Sequence, residues 1–206
     1  MNKYVQLYDN ADKYLGLLQS KEEILSFMEY LDTEVKPQNC LEIGVYQGAS
    51  FYLWANLLPD NALKIAIDDP NGKFGAPYRR EFFEVAINKH NIKTFKPNIH
   101  VHYADSNSLS TIEWVEKKLN GEKLDFLFID GDHQYEGVKL DYNNYKRFVK
   151  DGGLIVFHDI KDTEFHKDRL CTVWEFWQEL EGDKREFCDD NKFGGIGVLK
   201  YKEETI

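Results

Sequence analysis

The segment LEIGVYQGAS, residues 41–50, decides the fold because it joins an apolar strand, a glycine turn and the start of a helix. A glycine at position 44 lets the backbone pass close to a ligand. Gly48 allows tight packing at the point where the helix begins, and Ser50 places a hydroxyl beside the unpaired N–H groups of its first turn. This order predicts a nucleotide-type binding site.

Composition limits the possible partners of the chain. With 206 residues and 42% hydrophobic content, one globular domain is expected that buries about 70% of its unfolded surface. The net charge of −10 and the lack of a basic run make nucleic acid an unexpected partner. Three dispersed cysteines without a CxxC pair, no signal core and no membrane-length apolar run predict a cytoplasmic protein that does not contact a membrane.

Short apolar segments alternate with helical patterns along most of the chain. The strand-like segments after the first are ALKIAID, NIHVHYADS, LDFLFID and LIVFHD, and a helix is predicted over residues 80–92. Parallel strands need crossover connections, so this alternation predicts an α/β fold with a Rossmann-like, doubly wound sheet of five parallel strands. REFCDD and GIGVLKYK have no helix between them and predict a C-terminal antiparallel hairpin.

The division of the chain follows from the same patterns. Residues 1–36 are expected to form an N-terminal helical segment, with a helix starting after Ser20, and residues 37–206 the sheet domain. Because no linker or repeat separates them, we expect one globular domain overall.

An acidic side chain accompanies each predicted parallel strand. Glu42 lies within the first strand, and the others follow strands two to five: Asp68, Asp105, Asp130 and Asp159. Any one of these acids alone is explained as a helix cap or a solvated turn. Five along one edge are harder to explain that way, because ligands of such sheets bind beyond the carboxyl ends of the strands.

The glycine spacing separates two kinds of nucleotide ligand. The turn reads G-x-x-x-G, whereas a dinucleotide fingerprint reads G-x-G-x-x-G and needs its second glycine close to a pyrophosphate. Tyr46 occupies that place and is too bulky to admit one easily. A ligand with a nucleoside but no phosphate is therefore favoured.

With these features, the chain resembles the class I S-adenosylmethionine-dependent methyltransferases. The resemblance is strongest to the small-molecule O-methyltransferases related to catechol O-methyltransferase and to bacterial sugar O-methyltransferases. It is carried by LEIGVYQGAS and by residues 125–160, DFLFIDGDHQYEGVKLDYNNYKRFVKDGGLIVFHDI. The likeness extends over roughly residues 41–200.

The resemblance implies a residue-by-residue contact set for the donor S-adenosylmethionine. It assigns Glu42, Gly44, Tyr46 and Gly48 to the methionine group, Ser50 to its carboxylate, Asp68 to the ribose, Asp105, Ser106 and Asn107 to adenine, and Asp130 to the ammonium. A carboxylate suits the ribose because it accepts hydrogen bonds at two oxygens.

A divalent metal, Mg²⁺ or Mn²⁺, is the second implied cofactor. The catechol branch takes metal ligands from the acid after strand four and from an Asp-Asn pair after strand five, but Ile160 stands at the last position here and cannot ligate. The candidate ligands are therefore Asp130, Asp132, His158 and Asp159. In the alternative interpretation, His158 and Asp159 form a hydrogen-bonded pair that orients the loop without an ion.

The proposed catalytic residues are His133, His158 and Asp159. His133 lies where the catechol branch has its catalytic lysine and could act as a general base without a large pKa shift, or it could be a turn histidine. His166 has no motif around it, and a surface or packing role is expected. The expected partner is a small-molecule methyl acceptor, and residues 1–20 could form a homodimer contact.

Two other function classes remain open at this point. A nucleotide-dependent oxidoreductase could use the same kind of sheet, although the missing dinucleotide fingerprint argues against it. A non-catalytic protein could keep the fold and bind a donor or a partner without turnover.

Overall fold

The structure is a computed structural model that describes residues 2–72 and 98–203. The helix predicted over residues 80–92 lies outside these ranges. The described helices are α1 (Lys3–Leu15), α2 (Lys21–Tyr30), α3 (Ala49–Leu57), α4 (Leu109–Leu119), α5 (Tyr135–Tyr145), α6 (Glu164–Asp168) and α7 (Val173–Glu179). The strands are β1 (Asn39–Ile43), β2 (Leu63–Asp68), β3 (Ile99–Tyr103), β4 (Leu124–Ile129), β5 (Val149–His158), β6 (Asp183–Phe187) and β7 (Ile196–Lys200).

The seven strands form one sheet in the order β3-β2-β1-β4-β5-β7-β6. All pairs from β3 to β5 are parallel, and β7 pairs antiparallel with both β5 and β6. The prediction of five parallel strands followed by an antiparallel hairpin is therefore confirmed. β1 pairs with β2 on one side and with β4 on the other. Successive strands of the chain are added on one side of β1 up to β3 and on the other side from β4 onward, and such sheets bind ligands at this switch point.

One face of the sheet carries an aromatic core that includes the N-terminal helices. Phe27 of α2 packs 5.5 Å from the ring of Trp54 in α3 and 5.9 Å from that of Phe126 in β4. Leu15 of α1 is buried in the same cluster. The burial of these large rings stabilises the layer. The same packing holds α1 and α2, and with them the segment that joins them, against the sheet. The division at residues 36 and 37 stays a prediction.

Helix α2 begins as the sequence indicates. Ser20 is its N-cap, and Glu23 completes a capping box by accepting a hydrogen bond from the Ser20 backbone at 2.8 Å. The helix ends at Tyr30 and continues as one π-helical turn, Leu31–Val35. Within the described ranges, no helix has the length and apolar character needed to cross a membrane.

Candidate functional site

A cavity of about 560 Å³ opens at the carboxyl ends of the parallel strands. It lies over the point where the strand order reverses. Eight of the residues assigned to the donor line it: Gly44, Tyr46, Ser50, Asp68, Asp105, Ser106, Asn107 and Asp130. Glu42 and Gly48 are not among the described residues that line the cavity. The turn predicted from residues 41–50 therefore forms one wall of a real concavity.

The turn after β1 is fixed by two close approaches. Gly44 has a φ of 85°, and a Cβ atom added there would lie 2.1 Å from the Asp130 carbonyl oxygen, so only glycine fits. From the other side, the Asp68 carboxylate accepts hydrogen bonds from the backbone N–H groups of Val45, at 2.9 Å, and Tyr46, at 2.7 Å. The acid predicted to bind ribose thus also holds the glycine turn in place.

Glu42 lies beneath the cavity instead of facing it. Successive side chains of a strand point to opposite faces, and Glu42 is directed toward α3, where it is fully buried. The Ser50 hydroxyl donates a hydrogen bond to Glu42 Oε1. Burial raises the pKa of Glu42 well above its usual range. Glu42 reaches the cavity wall through Ser50, and the methionine contact implied for it stays a prediction.

Helix α5 holds the segment assigned to adenine. The Ser106 hydroxyl donates to Asp141 Oδ1 at 2.7 Å, and the Tyr145 hydroxyl donates to the Ser106 carbonyl at 2.6 Å. Asn144 Nδ2 donates to Asn107 Oδ1 at 2.8 Å. The three helix residues were missed from the sequence, although their i, i+3, i+4 spacing places them on one face.

A cluster of carboxylates and imidazoles lies beside the cavity, at the ends of β4 and β5. Its centre is Asp159, whose backbone has a φ of 61° and whose carboxylate is buried. Its Oδ2 atom lies 2.9 Å from His133 Nδ1 and 3.7 Å from Cys171 Sγ. Its Oδ1 atom lies 3.2 Å from His158 Nδ1 and 3.2 Å from His166 Nε2. His166 therefore belongs to this cluster, and it contacts a charged group in addition to any packing role.

His158 connects the cluster to the N-terminal half of the chain. Its Nδ1 atom lies 3.4 Å from Asp130 Oδ1, and its Nε2 atom lies 3.6 Å from Glu23 Oε1. Glu23 also accepts a hydrogen bond from the Gly195 backbone at 3.0 Å. Gln19 Nε2 donates to Asp130 Oδ2 at 3.1 Å. Neither Gln19 nor Glu23 carries a local signal of this role, because the contacts span more than 100 residues of sequence.

The charges of the cluster depend on one another. Burial alone would lower the pKa of His158, but the Asp159 and Asp130 carboxylates raise it well above its usual range. The pKa of Asp159 is held well below its usual range by His158 and His133, although burial opposes this. Burial also opposes the rise at His133, where the hydrogen bond to Asp159 lifts the pKa to about 10. The expectation that His133 has a nearly unshifted pKa is therefore wrong for this arrangement.

Two groups of side chains in the described residues have the spacing of metal ligands. One contains Asp130, His158 and Asp159, and the other contains His133, Asp159 and Cys171; in each, the donor atoms lie within 4.8 Å of one another. The structure does not bring Asp132 into either group. Its carboxylate accepts from the Gln134 backbone at 2.9 Å and packs against Gly137, because the chain turns there to start α5.

Comparisons with known proteins agree with this geometry. The sequence profile of a methyltransferase-domain family matches residues 41–160. This chain belongs to that family. The match contains the glycine turn, the residues assigned to adenine and the Asp130–Asp159 pair. The remaining contacts of the cluster come from outside it, from Gln19, Glu23, His166 and Cys171.

Individual relatives of this methyltransferase domain are distant. It is 33% identical over 150 residues to an uncharacterized protein of Acanthamoeba polyphaga mimivirus, covering 70% of this chain and 61% of that protein. It is 30% identical over 128 residues to an Arabidopsis thaliana protein assigned as a caffeoyl-CoA O-methyltransferase, covering 60% of this chain and 48% of that one. The chain thus spans less than two thirds of each relative.

A solved structure supports the fold of the methyltransferase domain. An O-methyltransferase from Bacillus cereus in complex with S-adenosylhomocysteine superposes with a TM-score of 0.63 at 15% identity, covering 98% of this chain and 92% of that one. The sheet described above is that of class I methyltransferases.

Proposed function

We propose that the protein transfers the methyl group of S-adenosylmethionine to an oxygen atom of a small molecule. The observation that carries this proposal is the cavity at the carboxyl edge of the sheet, with Asp68, Ser106 and Asp130 on its walls. Membership of a methyltransferase-domain family supports it. The Bacillus cereus neighbour, whose structure holds S-adenosylhomocysteine, supports the same choice of donor.

The walls of the cavity suggest how the donor lies in it. The turn at Gly44 would contact the methionine group, and the Asp68 carboxylate would accept from the ribose hydroxyls. Adenine would lie against Ser106 and Asn107. Asp130 would attract the ammonium group, since it is the carboxylate at the boundary between the cavity and the cluster.

A divalent metal would be held by Asp130 Oδ1, His158 Nδ1 and Asp159 Oδ1. His158 Nδ1 lies 3.4 Å and 3.2 Å from the two oxygens, and ligand atoms of an octahedral ion with bonds of about 2.1 Å lie about 3 Å apart. The residues present therefore fit a metal. When bound, such an ion lowers the pKa of an acceptor hydroxyl. A nitrogen ligand favours Mn²⁺ over Mg²⁺, which prefers oxygen.

His133 is our choice for the residue next to the methyl acceptor. It lines the cavity and also contacts Asp159, so it lies between the donor and the cluster. In the transfer, the acceptor oxygen bonds to the methyl carbon and the carbon–sulfur bond breaks. The electron pair of the carbon–sulfur bond goes to sulfur, leaving S-adenosylhomocysteine, and the acceptor proton passes to solvent, because His133, with its pKa raised to about 10, already carries one. The proposed acceptors are phenols, sugars and related natural-product precursors.

The test is a transfer assay with isotope-labelled S-adenosylmethionine and a panel of phenols and sugars, with Mn²⁺, Mg²⁺ or EDTA. We expect label in at least one acceptor and a higher rate with Mn²⁺. The variant His133→Gln should keep donor binding and lose most of the transfer, since His133 lies next to the proposed acceptor position. Donor binding without transfer to any acceptor would favour a binding protein, and binding of NAD in its place would favour an oxidoreductase. A cytoplasmic location and a homodimer contact through residues 1–20 stay predictions.

A further inference from the structure

Asp141 is a buried acid whose surroundings do not stabilise the fold. It is 1% exposed, and within the described part of the chain its Oδ2 atom is buried without a hydrogen-bond partner. A buried acid with an unpaired oxygen destabilises a fold relative to an apolar side chain of the same size. Its other oxygen accepts from the Ser106 hydroxyl, which belongs to a residue on the cavity wall.

The contact with Asp141 determines what Ser106 can offer a ligand. A hydroxyl has one proton, and an ionised carboxylate can only accept, so the Ser106 proton is directed away from the cavity toward Asp141. Asn107 Nδ2 also approaches the Ser106 oxygen, at 3.3 Å, as a donor. The capacity left to Ser106 on the cavity side is that of an acceptor.

The neighbouring side chain has the same character. Asp105 lines the same end of the cavity, and its Oδ1 atom accepts from the Asn107 backbone at 2.8 Å. The side chains of Asp105 and Ser106 therefore present acceptors. A 6-amino purine offers two protons at position 6 to such a surface, whereas a 6-oxo purine presents an acceptor there and carries its proton at N1, so Ser106 loses a donor at position 6.

We propose that Asp141 is a positioning residue that makes the base subsite selective for 6-aminopurine over 6-oxopurine by holding the Ser106 proton. The inference rests on the proposed function, because it assumes that adenine lies against Ser106. Burial, with Asp132 and Asp105 nearby, raises the pKa of Asp141 to about 7. Its ionised, acceptor-only form therefore predominates above that pH, and the test is carried out at pH 8.5.

The test compares S-adenosylhomocysteine with S-inosylhomocysteine, whose base has an oxygen in place of the 6-amino group and a proton at N1. Calorimetric titration of the wild-type protein is expected to give at least a tenfold preference for the adenosine compound. In Asp141→Leu, which keeps the branching and the number of side-chain heavy atoms but frees the Ser106 proton, the preference should fall at least threefold, and the Asp105 carboxylate should retain the rest.

Tyr145→Phe is the matched control. It also removes a hydrogen bond between α5 and Ser106, but that bond goes to the backbone carbonyl and leaves the hydroxyl proton where it is. It should weaken both ligands equally and keep their ratio. If Asp141→Leu does not fold, Ser106→Ala takes its place, since it removes the hydroxyl itself and should likewise lower the preference at least threefold.

The outcomes separate this inference from the proposed function. An undiminished ratio in Asp141→Leu or Ser106→Ala, or an equal loss of ratio in Tyr145→Phe, would overturn the role of Asp141 and leave the donor assignment intact. Failure of the wild-type protein to bind either homocysteine compound would overturn both.

Discussion

The two halves of the sheet's carboxyl edge are built differently. In the donor half, at β1 to β3, the glycine turn is held by the Asp68 carboxylate, which accepts hydrogen bonds from the backbone N–H groups of Val45 and Tyr46. In the cluster at β4 and β5, side chains bond to other side chains from distant elements, as His158 does with Glu23. Contacts to nearby backbone groups hold the shape of the glycine turn. The charges of the cluster, in contrast, are balanced only while every charged partner is present. Substitutions should therefore affect shape in one half and charge balance in the other.

The largest expected effect is that of Gly44→Ala, where the two halves meet. The new Cβ would lie 2.1 Å from the Asp130 carbonyl oxygen and 2.4 Å from Gly131 Cα, both of them backbone atoms. We expect a loss of more than about 4 kcal/mol of unfolding free energy in urea titrations, and loss of donor binding.

The control for this change is Gly121→Ala. Gly121 has nearly the same φ, 88°, but a Cβ there would have nothing within 4 Å among the described atoms. It should cost only about 1 kcal/mol, from backbone strain. Equal losses in the two variants would show that strain, and not the contact between the two halves, explains the effect.

The second prediction concerns pH and the buried acid Asp141 behind the donor half. Its pKa is about 7 in the folded protein and about 3.8 in the unfolded chain, so between these values the native state holds a proton that the unfolded chain has lost. The contribution of Asp141 to the free energy of unfolding is therefore fully present below about pH 4. It is lost as pH rises toward 7, by at most about 4 kcal/mol.

Urea unfolding at pH 5 and pH 8 measures this dependence. Asp141→Asn removes the titrating group, so the variant should lose less stability than the wild-type protein between the two values. Parallel losses in both proteins would show that Asp141 is not the group responsible.

The third prediction separates the cluster from the donor half. His158→Ala removes the nitrogen ligand of the proposed metal set, and Mn²⁺ affinity measured by electron paramagnetic resonance should fall about 100-fold or more. The affinity for S-adenosylhomocysteine in EDTA should change less than threefold. A fall in both affinities would contradict the independence of the two halves.

The smallest expected effect is that of Asp68→Asn, the converse test. The amide keeps an oxygen for the N–H groups of Val45 and Tyr46, but it loses the charge that would attract the ribose hydroxyls. We expect about a tenfold weaker donor affinity, or about 1.4 kcal/mol, with Mn²⁺ affinity unchanged. Unchanged donor affinity would contradict the placement of ribose at Asp68.

The same contrast explains what could be predicted from the sequence. The strand order and the walls of the donor half depend on local features: apolar runs, the glycine turn and the acids that follow each strand. The role of Glu42 stays a prediction, because successive side chains of a strand point to opposite faces and the spacing alone does not say which face is which.

The cluster was predicted only in part. Asp130, His158 and Asp159 lie at the ends of strands and could be found. Glu23, Gln19 and His166 come from helices and connections whose position depends on tertiary packing. The shift of the His133 pKa to about 10 follows from Asp159, a partner 26 residues away that local sequence does not reveal. Contacts between distant side chains carry little signal in a single sequence.

The most direct test of the central claim is calorimetric titration with S-adenosylhomocysteine, first in EDTA and then with Mn²⁺. We predict micromolar binding in both conditions, because the cavity that would hold the donor is formed by the fold and its own backbone contacts. No binding in either condition, or binding of NAD to the same protein, would contradict the assignment of this cavity to a methyl donor.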